Sequence, residues 1–356
     1  MLRAGLGLRT LAFAAALALV AVLPRYVSDF RASELAYVGI FFIAILGLNI
    51  LTGYTGQISL GHGAYMAIGG YTTAILVVDH GVKDLWTIPV AGLVAGLVGF
   101  LFGIPALRLS GLYLALATFA VAVATPAVIK KAEGLTGGSR GLNLFGVEGH
   151  TGGIAGVSVL GRHLTFNDWL YYLSWTIAAS LFLVAWAILR GRPGRAFRAV
   201  RDSEVAATAS GVNLAAYKTL AFGISAFYAG VAGALFTIAN TFVNPTTFPV
   251  VLSITLLIGV VVGGLGSLTG VVVGALFVRF LPTGIDRLSE VEALPERIRE
   301  ASNEAGVPDL AYGIVLILVV LLVPGGAGGL LTKLGRPLTS RLYSKSRELS
   351  AKGGGG

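Results

Sequence analysis

Long apolar segments separated by short polar ones run along the 356-residue chain. A transmembrane helix needs about 20 mostly apolar residues, because the hydrocarbon core is about 30 Å thick and each residue rises about 1.5 Å. The pattern predicts about ten helical spans, at 10–23, 35–51, 58–78, 86–107, 111–129, 169–189, 219–240, 247–265, 267–281 and 310–323. The first and the last two are short, so we expect them to be tilted, extended at their ends or partly re-entrant.

These spans predict an all-α, polytopic integral membrane protein with broken or re-entrant glycine-rich segments. We expect one transmembrane domain over 1–331 and a mobile basic tail over 332–356. The segment 10–23 has the apolar core of a signal peptide. Leu23-Pro24-Arg25 offers no small-residue cleavage site, so we expect an uncleaved first span.

The composition agrees with a membrane protein. Hydrophobic residues make up 55% of the chain and charged residues only 12%, against about 25% charged in soluble domains. The chain has no cysteine and four histidines. A disulfide framework and a thiolate metal site are therefore excluded, and we expect no metal site.

The distribution of charge predicts the topology. With the N-terminus inside, ten spans place fifteen basic and three acidic residues on the inner side, and eleven basic and fourteen acidic residues on the outer side. The balance is +12 inside and −3 outside, which accounts for the net charge of +9 without a nucleic-acid partner. This places the loop 190–218 and the tail inside, and the loops 130–168 and 282–309 outside.

Two glycine-rich stretches are candidates for a translocation pathway. Residues 52–65 contain too many glycines and polar groups for a lipid-facing helix, and non-helical backbone at membrane depth survives only when it is buried in protein or lines a wet cavity. We therefore predict a broken helix on the pathway; the alternative is tight helix packing through small residues. The second stretch, 261–267, poses the same choice, with a short turn between two spans as its alternative. The candidate pathway residues are Gly53, Gly56, Gln57, Ser59, Gly61, His62, Gly263, Gly264 and Ser267.

Ionisable groups are scarce in the predicted spans. Apart from Arg279 near one end, no Asp, Glu, Lys or Arg falls within them, although a proton-coupled carrier would normally need such a carboxylate. His62, near a span centre, either contacts substrate or hydrogen-bonds to a neighbouring helix.

The inner loop contains a short predicted helix. Asp202 or Ser203 can cap it, Gly211 can end it, and the small residues between them give it a shallow surface suited to a groove. The alternative is a basic loop that happens to be helical.

Taken together, the motifs resemble the membrane permeases of bacterial ABC importers for branched-chain amino acids, of the M rather than the H type. The resemblance covers about 35–331. It rests on GYTGQISLGHGAY (53–65), LRLSGLYLA (107–115), LTGGSRGL (135–142), the loop 194–216, GGLGS (263–267) and YGIVLILVVLLVPGG (312–326), in that order and spacing.

The resemblance implies a non-catalytic transport subunit in the bacterial inner membrane with both termini in the cytoplasm. In ABC importers a coupling helix with an Ala-Ala-x-x-x-Gly core docks on the ATPase, and Ala206, Ala207 and Gly211 match that core. The general pattern places a glutamate directly before the alanine pair, whereas here Val205 intervenes. The residues assigned to ATPase coupling are Arg201, Glu204, Ala206, Ala207 and Gly211.

The implied partners are an H-type second permease, two ATPase subunits, an external binding protein, membrane lipid and a small-molecule substrate. ATP and Mg would bind the ATPases, since this chain has no Gly-x-x-x-x-Gly-Lys-Ser/Thr loop. Alternatives are a permease for urea, short amides or another small polar solute, and a stand-alone secondary transporter or channel. For an intramembrane enzyme we find no catalytic constellation.

Overall fold

The computed structural model describes residues 20, 22–147, 150, 158–159, 162–163 and 165–286, together with 313–314, 317–318, 321, 326 and 329. The predicted spans 10–23 and 310–323, the loop 282–309 and the tail 332–356 lie wholly or mostly outside these residues.

The described residues are mainly α-helical. The helices are α1 (Asp29–Asn49), α2 (His62–Val78), α3 (Asp84–Ala106), α4 (Gly111–Lys131), α5 (Glu133–Thr136), α6 (Phe166–Arg190), α7 (Arg192–Asp202), α8 (Glu204–Ala209), α9 (Leu214–Asn240), α10 (Val250–Gly263) and α11 (Gly270–Asp286). A 3₁₀ turn (Leu23–Arg25) precedes α1, and a π-helical turn (Ile50–Tyr54) follows it.

Five helical segments of the described chain are long and apolar enough to cross a membrane. They are Asp29–Tyr54, Asp84–Ala106, Gly111–Lys131, Phe166–Arg190 and Leu214–Asn240. The helices α10 and α11 are apolar but shorter. The chain is therefore an all-α multi-pass membrane protein, while the number of ten spans stays a prediction.

The helix α9 lies at the centre of the bundle, against α3, α2 and α1, while α6 packs on the other side of α1. Glycines allow the backbones of α2 and α9 to touch. A Cβ built at Gly69 would lie 2.1 Å from the carbonyl oxygen of Gly230, and one at Gly233 would lie 1.9 Å from that of Met66. Small residues at interfaces are the usual means of close helix association in lipid. This contact, Gly69 and Met66 against Gly230 and Gly233, is called the α2–α9 seam below.

Two pairs of short strands interrupt the helical pattern. Strand β1 (Leu142–Asn143) pairs antiparallel with β4 (Phe242–Val243), and β2 (Ser158–Val159) pairs with β3 (Arg162–His163). The first pair ties the loop between α5 and α6 to the end of α9. The loop between α5 and α6 and the segment that follows α9 therefore lie at the same end of the bundle.

The helices extend beyond the predicted apolar segments, which corrects the expectation that the spans hold no acidic residue. The helix α1 starts at Asp29 and so includes Glu34, and α3 starts at Asp84. Polar residues near a helix end escape a search for continuous apolar sequence. Glu34 forms an ion pair with Arg279 of α11, and Asp84 lies 3.1 Å from Nδ1 of His150.

Candidate functional site

The chain breaks its helical path between α1 and α2. The predicted span 58–78 becomes a helix only at His62, because residues 56–61 are not helical and Gly56 has φ +73°. The chain also doubles back here. His62 contacts Ala44, which lies ten residues, or about 15 Å of helix rise, before the end of the π turn at Tyr54.

The backbone of the break is satisfied by side chains from other helices. The amide of Leu60 donates to Oγ1 of Thr118 on α4 (2.9 Å), and the amide of Gly63 donates to Oγ of Ser253 on α10 (2.8 Å). Thr118 is 1% exposed and Ser253 is fully buried. The sequence analysis missed both hydroxyls, and a polar residue inside a strongly apolar helix is the signal that could have found them.

Ser59, Gly61 and His62 lie within this close packing. Oγ of Ser59 accepts from the amide of Gly61, and a Cβ at Gly61 would lie 2.9 Å from the carbonyl oxygen of Thr118. Nε2 of His62 donates to the carbonyl oxygen of Ala44 (2.9 Å). His62 therefore hydrogen-bonds to a neighbouring helix, which was the structural alternative for this residue.

The second glycine-rich stretch forms the tight turn between α10 and α11. Gly263 ends α10, Gly264 adopts φ 103°, and Oγ of Ser267 accepts from the amide of Gly270 at the start of α11 (3.1 Å). This is the geometry expected for the simple-turn alternative.

Asn49 joins this turn to the break. Its Oδ1 accepts from the amide of Gly266 (2.9 Å), and its Nδ2 donates to the carbonyl oxygen of Ser267 (3.0 Å). A buried asparagine that binds two backbone groups fixes the turn relative to α1. The two glycine-rich stretches, which are distant in the sequence, thus meet at one end of the bundle.

Arg201 brings the loop 190–218 to the same place. Its Nη1 donates to the carbonyl oxygen of Gly53 within the π turn, at 2.8 Å. Last-turn carbonyls of a helix lack intrahelical donors and favour a cation. Of the residues predicted for ATPase coupling, Arg201 is the one that contacts the predicted pathway.

The helix α8 confirms the predicted short helix in the loop. Ser203, rather than Asp202, caps it by accepting from the amide of Ala206 (3.2 Å), and Gly211 follows its end with φ +81°. Oε1 of Glu204 lies 2.7 Å from Nζ of Lys218, so Glu204 forms an ion pair with α9.

The exposed face of α8 differs from the predicted one. Ala207 is 2% exposed, so its side chain faces the rest of this chain and is unavailable to a partner. Val205, the residue that departs from the general pattern, is 82% exposed. Ala206 and Gly211 are also exposed.

A cleft of about 150 Å³ lies between the break, the start of α4 and this loop. Gly56 borders it, and its polar lining comes from Thr55, Gln57, Ser110, Arg201, Glu204 and Lys218. Gln57 is 7% exposed, and its Nε2 donates to Oγ1 of Thr55 (3.0 Å). Gly56 and Gln57, two of the predicted pathway residues, thus border this cleft.

Comparison with known proteins decides the family. Residues 31–323 match the family described as "Branched-chain amino acid transport system / permease component". The chain belongs to this family. The expected resemblance is therefore confirmed.

Individual relatives agree. The "High-affinity branched-chain amino acid transport system permease protein LivM" of Escherichia coli (strain K12) is 36% identical over 252 residues, which are 67% of this chain and 59% of that protein. LivM of Salmonella typhimurium is 35% identical over the same shares. LivH of Escherichia coli (strain K12) is 25% identical over 83% of this chain and 92% of its own length. The matched part of the permease thus spans about three-fifths of each LivM relative. No solved structure matches the permease.

Proposed function

We propose that this permease is the M-type membrane subunit of an ATP-driven importer, and that it moves branched-chain amino acids delivered by an external binding protein. The family and the printed names of the LivM relatives support the substrate class. The proposed partners are an H-type permease subunit and two ATPase subunits, which bind the ATP and Mg. The proposed location is the bacterial inner membrane, with both termini in the cytoplasm.

The observation that carries the proposal is the helix α8. It stands at the edge of the bundle, Ser203 caps it, the Lys218–Glu204 ion pair holds it, and Val205 projects from it. A stand-alone carrier has no need for a rigid helix of this kind with an exposed apolar tip. An ATPase subunit that must push on the permease needs a firm contact of limited area.

We place the inner end of the pathway at the cleft beside Gly56 and Gln57. A zwitterionic amino acid needs polar groups for its charged ends and an apolar wall for its side chain. The cleft offers the side chains of Gln57 and Ser110 beside apolar side chains from α4 and its preceding loop. We expect Ser59, Gly61 and His62 to support the pathway by packing.

Reconstitution of the complete complex tests the proposal. The permease is copurified with its native partners, inserted into liposomes, and supplied with binding protein and labelled leucine, isoleucine or valine. We expect uptake that requires both ATP and the binding protein. A thermal-shift screen of the binding protein against amino acids, urea and short amides identifies the ligand independently.

Three results would contradict parts of the proposal. Uptake by the permease alone, without an ATPase, would make it a secondary transporter or channel. Transport of urea or a short amide but none of the three amino acids would overturn the substrate class. Failure of any ATPase to copurify would remove α8 as a coupling element.

A further inference from the structure

Three segments of the permease meet at Gly53. The carbonyl oxygen of Gly53 accepts from Arg201, and a Cβ built at Gly53 would lie 2.4 Å from the amide nitrogen of Gly266. A Cβ at Gly266 would in turn lie 3.2 Å from Nη1 of Arg201. The broken helix, the α10–α11 turn and the last turn of α7, which carries Arg201, therefore meet within one contact, which we call the Gly53 joint.

Asn49 closes the joint from the bundle side. Its side chain holds the amide of Gly266 and the carbonyl of Ser267, and its Oδ1 would lie 2.1 Å from a Cβ at Gly53. The turn and the π turn are closely packed at the joint and are joined by the hydrogen bonds of Asn49. The two would have to move together, or the hydrogen bonds of Asn49 would break.

The hydrogen bond from Arg201 to Gly53 links the loop 190–218 to the Gly53 joint. The carbonyl of Leu51 is served from within its own segment, by Oγ1 of Thr55 and the amide of Gln57. The carbonyl of Gly53 instead receives a charged donor from 148 positions away. Hydrogen bonds from a guanidinium are about twice as strong as neutral ones. The loop therefore cannot move away from the bundle without drawing Gly53 along or losing this bond.

We propose that Arg201 is a positioning residue that transmits the movement of the loop 190–218 to the broken helix and the α10–α11 turn. The inference rests on the proposed function, since it takes the force on the loop to come from an ATPase docked at α8. Arg201 also lies beside the wall of the cleft. A Cβ built at Gly56 would lie 3.1 Å from Cγ of Arg201, so that a movement of Arg201 acts on the cleft at Gly56 as well as on Gly53.

The substitution Arg201→Met tests this in the complete, reconstituted complex. It keeps the length and apolar stem of the side chain but removes its charge and donors. Uptake and ATP hydrolysis are measured in the same vesicles, so that the readout is substrate moved per ATP hydrolysed. We expect hydrolysis within about twofold of wild type and a ratio lowered about tenfold, the effect of losing one hydrogen bond to a charged group.

Two further variants separate transmission from folding and from charge. Arg201→Lys keeps the positive charge but replaces the planar guanidinium with an ammonium group. We expect its ratio of uptake to ATP hydrolysis to lie between those of wild type and Arg201→Met. Arg195→Met removes the same charge from an exposed position on α7, and we expect the wild-type ratio. If Arg201→Met does not assemble, Arg201→Lys decides: a lowered ratio supports the inference and a wild-type ratio overturns it.

A wild-type ratio in assembled Arg201→Met would overturn the inference. So would a parallel fall in hydrolysis and uptake, because that leaves the ratio unchanged and shows a merely structural role. The proposed function fails separately, if the wild-type complex itself shows no ATP-dependent uptake of amino acids.

Discussion

Single polar side chains replace, at the helix break, the hydrogen bonds that a continuous helix would supply. In lipid every buried backbone N–H and C=O needs a partner inside the protein. Thr118 and Ser253 serve amides of the break, and Asn49 serves the neighbouring turn. The break is therefore stabilised by particular residues on α4, α10 and α1, and each can be tested singly.

Asn49→Leu should destabilise the permease, because it leaves the amide of Gly266 and the carbonyl of Ser267 without their partners. Interhelical hydrogen bonds in membranes contribute about 0.6–1.7 kcal/mol each, so we expect a loss of about 1–3 kcal/mol for the pair. The thermal midpoint of the detergent-solubilised protein measures it. An unchanged midpoint in Asn49→Leu would contradict the role of Asn49.

Gly61→Leu should lower the yield of folded permease. A Cβ at this position already lies 2.9 Å from the carbonyl of Thr118, so a larger side chain must displace α4. Gly134→Leu is the matched control, since a Cβ at Gly134 meets nothing within 4 Å. Yield is measured as the monodisperse fraction in size-exclusion chromatography. A folded Gly61→Leu that only blocks uptake would instead place Gly61 on the pathway itself.

At the scale of the element, α8 presents a different face from the one its sequence suggests. The Ala-Ala-x-x-x-Gly pattern identifies the helix but cannot tell which alanine points outward, because that depends on how α9 packs behind it. Val205→Asp should abolish copurification of the ATPase while the permease itself stays folded, because Val205 is 82% exposed and has no packing to lose. Pull-down of the ATPase by the tagged permease measures this.

The variant Val205→Leu is the control for that experiment, since it keeps an apolar tip and should retain the ATPase. Ala207→Arg should instead reduce the yield of the permease, because Ala207 is buried within the chain. Retention of the ATPase by folded Val205→Asp would show that α8 docks through another face or does not dock.

At the scale of the whole molecule, the charge distribution predicts which end of the bundle faces the cytoplasm. The chain has no native cysteine, so single cysteines report accessibility directly. We expect Ser210→Cys, in the loop 190–218, to resist a membrane-impermeant thiol reagent in intact cells. Phe145→Cys, at a position that is 78% exposed in the loop 130–168, should react. The reverse pattern would invert the topology.

The long apolar helices follow directly from the sequence, since burial in lipid demands about 20 apolar residues whatever the tertiary contacts. The spans predicted at 86–107, 111–129 and 169–189 differ from α3, α4 and α6 by three residues or fewer at each end. The candidate site was less accessible to prediction. That Gly53 touches Gly266, or that Arg201 reaches Gly53, depends on contacts across 148 positions or more, which local patterns do not encode.

The α2–α9 seam limits how far this sequence can vary. Where a carbonyl oxygen occupies the space of a missing Cβ, as at Gly69 and Gly233, even alanine would collide with backbone. The outward face of α4 imposes no such restriction. Only 22% of the most apolar stretch of this helix is buried, and its outward side chains pack against nothing within the described part of the chain. Random substitution should therefore leave the exposed positions of α4 free to change among apolar residues, while Gly69 and Gly233 stay invariant, so that the positions most restricted in sequence carry no side chain at all.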